Sequence, residues 1–140
     1  MSYAGAVALI KTQSELVNPT GLFSHSDKWK ASLNFGDNNK QIYLYPITAN
    51  VDLSNHYYES WSIVMGFYFQ DAPDSTALEQ QALIQEADEM VTLFLNAMNV
   101  YEGIDISGAR KEPSYRQMAG TYTGYLLSFT LNTTTDLCAL

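Results

Sequence analysis

The residues that most often carry out chemistry are few in this chain of 140 residues, and their spacing matches no catalytic or metal-binding pattern. The two histidines, His25 and His56, lie far apart, and no HxH, HExxH or CxxC spacing connects them with further ligands. The only cysteine, Cys138, stands close to the C-terminus, and the GxSxG pattern of a serine nucleophile is absent. The sequence therefore predicts neither a metal site nor nucleophilic catalysis.

Paired carboxylates are the remaining candidates for acid–base chemistry, and they occur together at Glu86, Asp88 and Glu89. On a helix, Glu86 and Glu89 lie on one flank while Asp88 points elsewhere, which is typical of a solvated helix face. The phosphate-binding patterns GxxxxGK[ST] and GxGxxG are also absent, so a nucleotide site is not indicated. We predict that the protein is not an enzyme and has no cofactor.

Charge and composition exclude further classes of function. Fifteen acidic and seven basic residues give a formal net charge of −8, which disfavours general binding to nucleic-acid phosphates. Hydrophobic residues make up 46% of the chain, enough for the core of one domain. A single cysteine allows no internal disulfide, the first residues lack a signal-peptide pattern, and no apolar segment approaches a membrane span. These features predict an intracellular protein that does not bind membranes.

The periodicity of the apolar residues predicts one α+β domain over 1–140, with an antiparallel sheet of about four to six strands. An N-terminal helix and one long central helix, about 75–98, are expected to flank the sheet, and Thr76 and Glu79 form a capping box at the start of the long helix. The domain then divides into a helix and loop over 1–28, the sheet with its central helix over 29–131, and a tail over 132–140. The expected segments are a helix over 2–17, a loop over 18–27, a hairpin over 29–35 and 42–45, a short strand over 47–53, a strand over 59–70, the central helix, a short strand over 104–106, a loop over 108–119 and a strand over 125–131.

The apolar face of the long helix is wider than it needs to be to cover one sheet. Its centre is formed by Leu83, Ala87, Met90, Phe94 and Met98, with Ile84, Val91 and Leu95 on one flank and Leu93 and Ala97 on the other. We therefore expect the excess apolar surface to contact either the first helix or another chain. Ile84, Val91 and Leu95 are the candidates for an interface between subunits.

Three of the seven basic residues, Arg110, Lys111 and Arg116, lie within one short segment that is expected to be a loop. One interpretation is a solvated loop whose charges do little. The other is a basic patch that docks on an acidic surface. In a chain of net charge −8, that surface could belong to a neighbouring copy, and such a head-to-tail contact closes into a ring when the rotation allows.

Tyrosines are common at positions expected to face water. They are Tyr43, Tyr45, Tyr57, Tyr58, Tyr68 and Tyr122. A group of exposed tyrosines is typical of a contact surface, because tyrosine is enriched at interfaces. Tyr43 and Tyr45 are therefore further interface candidates, unless both faces of the sheet are covered.

The chain resembles the small structural proteins of the head–tail junction of tailed bacteriophages, above all the tail terminator, or tail completion, group. The resemblance lies in the run from the strand Glu59–Gln70, through the helix Thr76–Met98, to the basic segment and the strand Gly120–Leu131. The segment ARKEPSYRQMAGTYTGYLLSFTLNTTTDLC, Ala109 to Cys138, adds to it, and the likeness covers roughly 29–138 in length, element order and texture.

This resemblance implies an α+β subunit of a hexameric ring that caps the tail tube and meets the head connector in the virion, after synthesis in the host cytoplasm. It also implies that there are no catalytic residues and that DNA passes through the lumen without specific binding. An acidic lumen would repel the duplex, and Glu79, Glu86 and Glu89 are the candidates for that surface. Two alternatives remain: a head–tail adaptor or tail tube subunit, and a cellular binding module with a pocket under the aromatic sheet.

Overall fold

The computed structural model describes residues 2–25, 40–52, 58–72, 74–100, 104–117 and 122–134. In this part of the chain, two helices and a six-stranded sheet form the α+β fold that the sequence predicts. The elements are α1 (Tyr3–Val17), β1 (Leu22–His25), β2 (Lys40–Leu44), β3 (Thr48–Asp52), β4 (Tyr58–Gln70), α2 (Ala77–Asn99), β5 (Asp105–Gln117) and β6 (Tyr122–Thr134).

The sheet is mostly antiparallel, as predicted, with the order β1-β2-β4-β6-β5 and with β4 at its centre. β4 and β6 pair along their whole lengths, from Tyr58 opposite Thr134 to Gln70 opposite Tyr122. On its other side, β4 pairs with β3 through its first residues and with β2 through its last. The exception to the predicted antiparallel pattern is the pair β1–β2, which is parallel.

Both helices begin at side-chain caps, of which the sequence predicts the one at Thr76. At α1, the Ser2 hydroxyl accepts a hydrogen bond of 3.0 Å from the amide of Gly5. At α2, the Thr76 hydroxyl accepts one of 3.2 Å from the amide of Glu79. Each cap satisfies an amide that lacks a partner within its helix, which favours a helix start at that residue.

The main core lies between the two helices and one face of the sheet. Helix α2 contributes Ala87, Met90, Val91, Phe94 and Met98, and α1 contributes Ala6, Leu9 and Ile10. Five apolar side chains alternate along one face of β4, from Trp61 to Phe69, and all of them are buried there. Phe94 is central, since its ring packs on those of Phe67 and Phe129 at centroid distances of 5.6 and 6.2 Å.

A buried carboxylate joins three elements where β4 ends. Asp71 is buried, and its Oδ2 accepts hydrogen bonds from the Thr123 hydroxyl of β6 at 2.8 Å and from the Gln80 amide of α2 at 3.3 Å. Asp71 therefore connects the first turn of α2 to the end of β4 and the start of β6.

Two segments expected to be loops are strands. Residues 22–25, within the predicted loop 18–27, form β1, and most of the predicted loop 108–119 lies in β5. Two irregularities explain the second error, because the register of β5 shifts between Ser107 and Arg110 and again between Ser114 and Gln117. Each shift breaks the alternation by which a strand is recognised in a sequence. The predicted strand over 29–35 lies outside the described residues, as do most of the tail and the histidine His56.

None of the helices in the described ranges is long and apolar enough to cross a membrane. The short strand predicted over 47–53 is confirmed as β3, and the long helix predicted at about 75–98 is confirmed as α2.

Candidate assembly surface

The predicted basic segment forms one edge of the sheet. β5 pairs with β6 and is the last strand in the sheet order, and most of its side chains with a described environment are exposed. Arg110 lies opposite Ser128 and Lys111 opposite Leu127, so the two side chains point to opposite faces of the sheet. The structure therefore separates two residues that the sequence analysis grouped. The side chain of Arg116 lies outside the described part of the chain.

Lys111 faces the helices and is held within its own subunit. Its ammonium forms an ion pair with Asp88 of α2 and lies 5.9 Å from the centre of the Tyr125 ring. Arg110 faces the other way, with 77% of its side chain exposed and its guanidinium 3.6 Å from the Glu112 carboxylate. Of these two cations, Arg110 is the one available to another molecule.

The edge of β5 is protected against pairing with a further strand. Gly108 adopts a left-handed conformation, with φ of 61°, within the first irregularity, and Pro113 has no amide hydrogen to donate. Bulges, proline and charged side chains are the devices by which natural sheets prevent edge-to-edge pairing. Contacts at this edge are therefore expected to use side chains rather than a shared backbone ladder.

The outward side of α2 is divided into two halves. In the first half the candidate acidic residues Glu79, Glu86 and Glu89 are all exposed, and none of them pairs with a described basic residue. In the second half, Leu93 and Val100 are 57% and 80% exposed. No charged residue occurs between Met90 and Val100. The acidic surface and the apolar surface therefore follow each other along one helix.

The prediction that Ile84, Val91 and Leu95 form an interface between subunits is wrong for Val91. Val91 is fully buried in the main core, and Leu95 is half-buried and packs against that core. Ile84 is half-buried. Val91 therefore cannot serve as an interface residue, because the core of its own subunit already buries it. The excess apolar surface that the pattern predicted is on the opposite side, at Leu93.

The expected tyrosine surface is also not exposed. Tyr43, Tyr45, Tyr68 and Tyr122 form a second buried cluster on the face of the sheet opposite the helices. The rings of Tyr43 and Tyr45 pack edge to face at 5.0 Å, and the hydroxyls of Tyr45 and Tyr68 are 2.9 Å apart. Tyr43 and Tyr45 are therefore removed from the candidate interface. Tyr57 and the side chain of Tyr58 lie outside the described residues.

Burial keeps the hydroxyl groups of Tyr45 and Tyr68 neutral. It is the main cause that raises the pKa of Tyr45, and the hydroxyl of Tyr68 beside it raises that pKa further. Burial also raises the pKa of Tyr68, against hydrogen bonds from Tyr45 and Ser114 that lower it. Both side chains remain protonated far above neutral pH, so the cluster is a neutral, hydrogen-bonded part of the fold.

This cluster predicts alkaline sensitivity. Because the folded-state pKa values lie above the unfolded value of about 10, the contribution of these two tyrosines to stability should be constant below that pH and fall above it, by about 1.4 kcal/mol per pH unit for each tyrosine. In Tyr45→Phe the fall should be shallower, as measured by urea unfolding over a pH series. The control is Tyr115→Phe, at an exposed position. Equal alkaline slopes for both variants would contradict this assignment.

Gln41 has a buried side-chain amide on the tyrosine face of the sheet, and the sequence does not predict its burial. Gln41 lies opposite Tyr68 in the ladder, and neither its carboxamide oxygen nor its nitrogen has a hydrogen-bond partner, although both are buried. Such a group costs roughly 1–3 kcal/mol. The only sequence signal is one polar residue at the start of a strand, which does not distinguish a buried position from an exposed one.

The remaining sequence candidates for chemistry are structural or lie outside the described residues. His25 connects elements, since its Nδ1 lies 2.8 Å from the Leu44 carbonyl oxygen and its Nε2 lies 2.9 Å from the Tyr3 hydroxyl. No group of three potential metal ligands occurs among the residues that the structure describes. Cys138 is not among them. A scan against protein-family models and a search of curated proteins find no match to this chain.

Proposed function

We propose that this protein is a structural subunit that assembles with copies of itself into a closed ring. The observation that carries the proposal is β5, a strand of 13 residues at the edge of the sheet that is exposed and interrupted so that it does not extend the sheet. An edge of this kind prevents open-ended strand addition and leaves its exposed side chains for contact with another molecule.

Charge supports self-association through this edge. Arg110 is an exposed cation in a chain of net charge −8, so a neighbouring copy offers it acidic surface. A basic site and an acidic site on different parts of one molecule favour a head-to-tail contact, and repeated contacts of that type close into rings. Lys111 does not contribute, since its charge is already paired with Asp88.

The resemblance to tail terminator proteins supports a more specific function. We propose a ring, a hexamer in that group, that caps the tail tube of a bacteriophage and meets the head connector in the virion. The ring would let DNA pass, and an acidic lumen formed by the outward residues of α2 would repel the duplex. The protein's own role would be structural, with no catalytic step.

Native mass spectrometry over a concentration series, with negative-stain images of the same samples, tests this proposal. We expect one discrete oligomer and ring-shaped particles. Long tubes would instead favour a tail tube subunit, and rings that join a second component at both faces would favour an adaptor. A chain that stays monomeric throughout would contradict self-assembly.

A monomer would favour the second candidate function, a small-molecule binding module. The observation on its side is the Gln41 carboxamide, which is buried, belongs to the residue opposite Tyr68 in the ladder, and has unused donor and acceptor capacity. Binding sites commonly combine apolar walls with a few polar groups of this kind. Assembly is the better-supported candidate, because the tyrosines around Gln41 pack against each other.

Charge reversal at Arg110 tests the proposed contact. Arg110→Glu should weaken ring assembly about tenfold or more, which corresponds to about 1.4 kcal/mol per contact. The monomer should stay folded because the side chain is 77% exposed. The effect should shrink at high salt, and it should grow when Arg116→Glu is added.

Lys40→Glu is the matched control for this reversal. It makes the same change in net charge at another exposed position, on β2, which β4 and β6 separate from β5. Assembly should be measured by analytical ultracentrifugation, and folding by circular dichroism. The proposed contact is wrong if Arg110→Glu assembles as well as Lys40→Glu.

A further inference from the structure

Helix α1 and strand β1 form one unit near the start of the chain, which we name the α1–β1 unit. A turn over 18–21 joins them, and the Gly21 amide donates a hydrogen bond of 3.2 Å to the Asn18 carbonyl oxygen. At the other end, the Tyr3 hydroxyl lies 2.9 Å from Nε2 of His25, and the centres of the two rings are 5.8 Å apart. The unit therefore has contacts of its own at both ends.

The α1–β1 unit docks on the rest of the domain through a small set of contacts. In the described sheet β1 is the outermost strand, and it pairs in parallel with β2 over four residues, from Leu22 opposite Gln41 to His25 opposite Leu44. Nδ1 of His25 lies 2.8 Å from the Leu44 carbonyl oxygen. Helix α1 adds three apolar side chains to the main core, those of Ala6, Leu9 and Ile10. Every copy of the chain presents the same docking surface for these contacts.

Two polar side chains at this junction are buried without a partner. Ser14 lies on the face of α1 that carries Ala6 and Ile10 into the core, and its hydroxyl is buried. The carboxamide of Gln41, the residue opposite Leu22, is buried as well. Neither side chain has a hydrogen-bond partner in the described part of the chain. Because undocking of the unit gives these groups access to water, they lower the free energy needed to open the junction.

The chain between β1 and β2 is long enough for the α1–β1 unit to reach another molecule. Residues 26–39 separate His25 from Lys40, and fourteen residues span at most about 45 Å. An element near one end of a chain and followed by such a length can change places with the identical element of a second copy. Exchange of this kind is a low-cost route to assembly, because it reuses contacts that already exist within one copy.

We propose that the α1–β1 unit, residues 3–25, exchanges between copies of the chain, so that β1 of one copy pairs with β2 of a neighbour. This inference rests on the proposed self-assembly and names the element that links the subunits. A copy that gives its unit to one neighbour and receives a unit from another makes a head-to-tail contact, and repeated contacts of that type close into a ring. The pairing of Leu22 with Gln41 and the core contacts of α1 are then the same as within one copy.

Site-directed cross-linking of the full chain tests the exchange. In a Cys138→Ser background, one chain carries Leu22→Cys and a second chain carries Gln41→Cys, at positions that are partners in adjacent strands. The distance between adjacent strands, about 4.8 Å, lies within the range of Cα separations that a disulfide bridges. Since each chain has one cysteine, a heterodimer with this disulfide forms only when β1 of one copy lies beside β2 of another.

The control mixture replaces Gln41→Cys by Leu78→Cys, on α2 and 77% exposed. Random collisions favour an exposed thiol over a buried one, so they would give more product in the control. After native mixing and mild oxidation by dissolved oxygen, we expect about tenfold more heterodimer from the Leu22 and Gln41 positions, because strand pairing raises the local thiol concentration. Intact mass spectrometry counts the products. A yield no higher than that of the control would overturn the proposal.

Hydrogen exchange is a second test, and it needs no cysteine. If the unit opens as a whole, the amides of α1 and β1 should exchange together, and faster than those of β4 and β6. Ser14→Ala removes the buried hydroxyl that has no partner, so it should slow this exchange about fivefold or more. Thr12→Ala is the matched control, since it gains helix propensity at an exposed position of α1, and it should slow the exchange much less. If the amides of α1 and β1 are as protected as those of β4, the unit does not open and the proposal is wrong.

The failure of this inference is distinguishable from failure of the proposed function. If rings form in native mass spectrometry but Leu22→Cys and Gln41→Cys do not cross-link, the ring stands and exchange of the α1–β1 unit is wrong. If the chain neither assembles nor cross-links, both are wrong.

Discussion

Gly124→Ala should prevent normal folding of the chain. Gly124 lies opposite Tyr68 in the pairing of β6 with β4, where the two backbones approach closely. A methyl group at Gly124 would meet the carbonyl oxygen of Phe67, and it would lie 2.9 Å from that carbonyl carbon and 3.1 Å from the Tyr68 Cα. Because all of these atoms belong to the backbone, no rotamer change relieves the contact.

The expected cost of this substitution is large relative to total stability. Overpacking that forces a backbone shift costs typically about 1–3 kcal/mol and at times more. We expect at least about 3 kcal/mol here, because β4 and β6 are the most extensive pair of the sheet and both must move. That is a substantial part of the roughly 5–15 kcal/mol that stabilises an ordinary domain. The measurement is the urea midpoint, or the insoluble fraction if the variant does not fold.

Gly108→Ala is the matched control in the neighbouring strand. Its Cβ would meet no atom within 4 Å, and only the left-handed φ of 61° opposes the substitution. That conformation costs an alanine about 1–2 kcal/mol. If Gly124→Ala is no less stable than Gly108→Ala, the close approach of β4 and β6 is not as described.

The sequence predicts the central strand and the long helix of this fold but not the edge strand β5. The central strand and the long helix were predictable, because five apolar residues at period two and an uninterrupted helical pattern after Thr76 leave few alternatives. β5 was not, because its register shifts at Gly108 and again after Ser114 and its side chains bury little apolar surface. A strand stabilised by one neighbour through its backbone leaves a weak pattern in the sequence.

The same reasoning applies to the candidate surface. Arg110 and Lys111 are adjacent in the sequence, although adjacent residues of a strand face opposite sides and Arg110 is the more exposed of the two. The alternation in β2 correctly placed Tyr43 and Tyr45 on the face opposite Ile42. The alternation does not predict whether other parts of the chain cover that face, because burial depends on the tertiary structure.

Phe94→Ala should be the most destabilising change in α2. The Phe94 ring is fully buried and packs against Phe67 of β4 and Phe129 of β6. Truncating a buried phenylalanine costs about 3–5 kcal/mol, because it removes apolar contact and leaves a cavity between helix and sheet. The gain in helix propensity from alanine, roughly 0.5 kcal/mol, does not offset this. Urea unfolding at neutral pH measures the loss.

The adjacent residue separates stability from assembly. Leu93 belongs to the same helical turn but is 57% exposed, so Leu93→Ala should change the free energy of unfolding by no more than about 0.5 kcal/mol. If this exposed side chain contributes to the proposed self-assembly, the variant should nevertheless assemble less well than the unmodified chain, whereas Phe94→Ala should fail in folding first. Finding that Leu93→Ala destabilises the monomer as much as Phe94→Ala would mean that Leu93 is part of the core. In that case its exposure could not be taken as a reason for self-assembly.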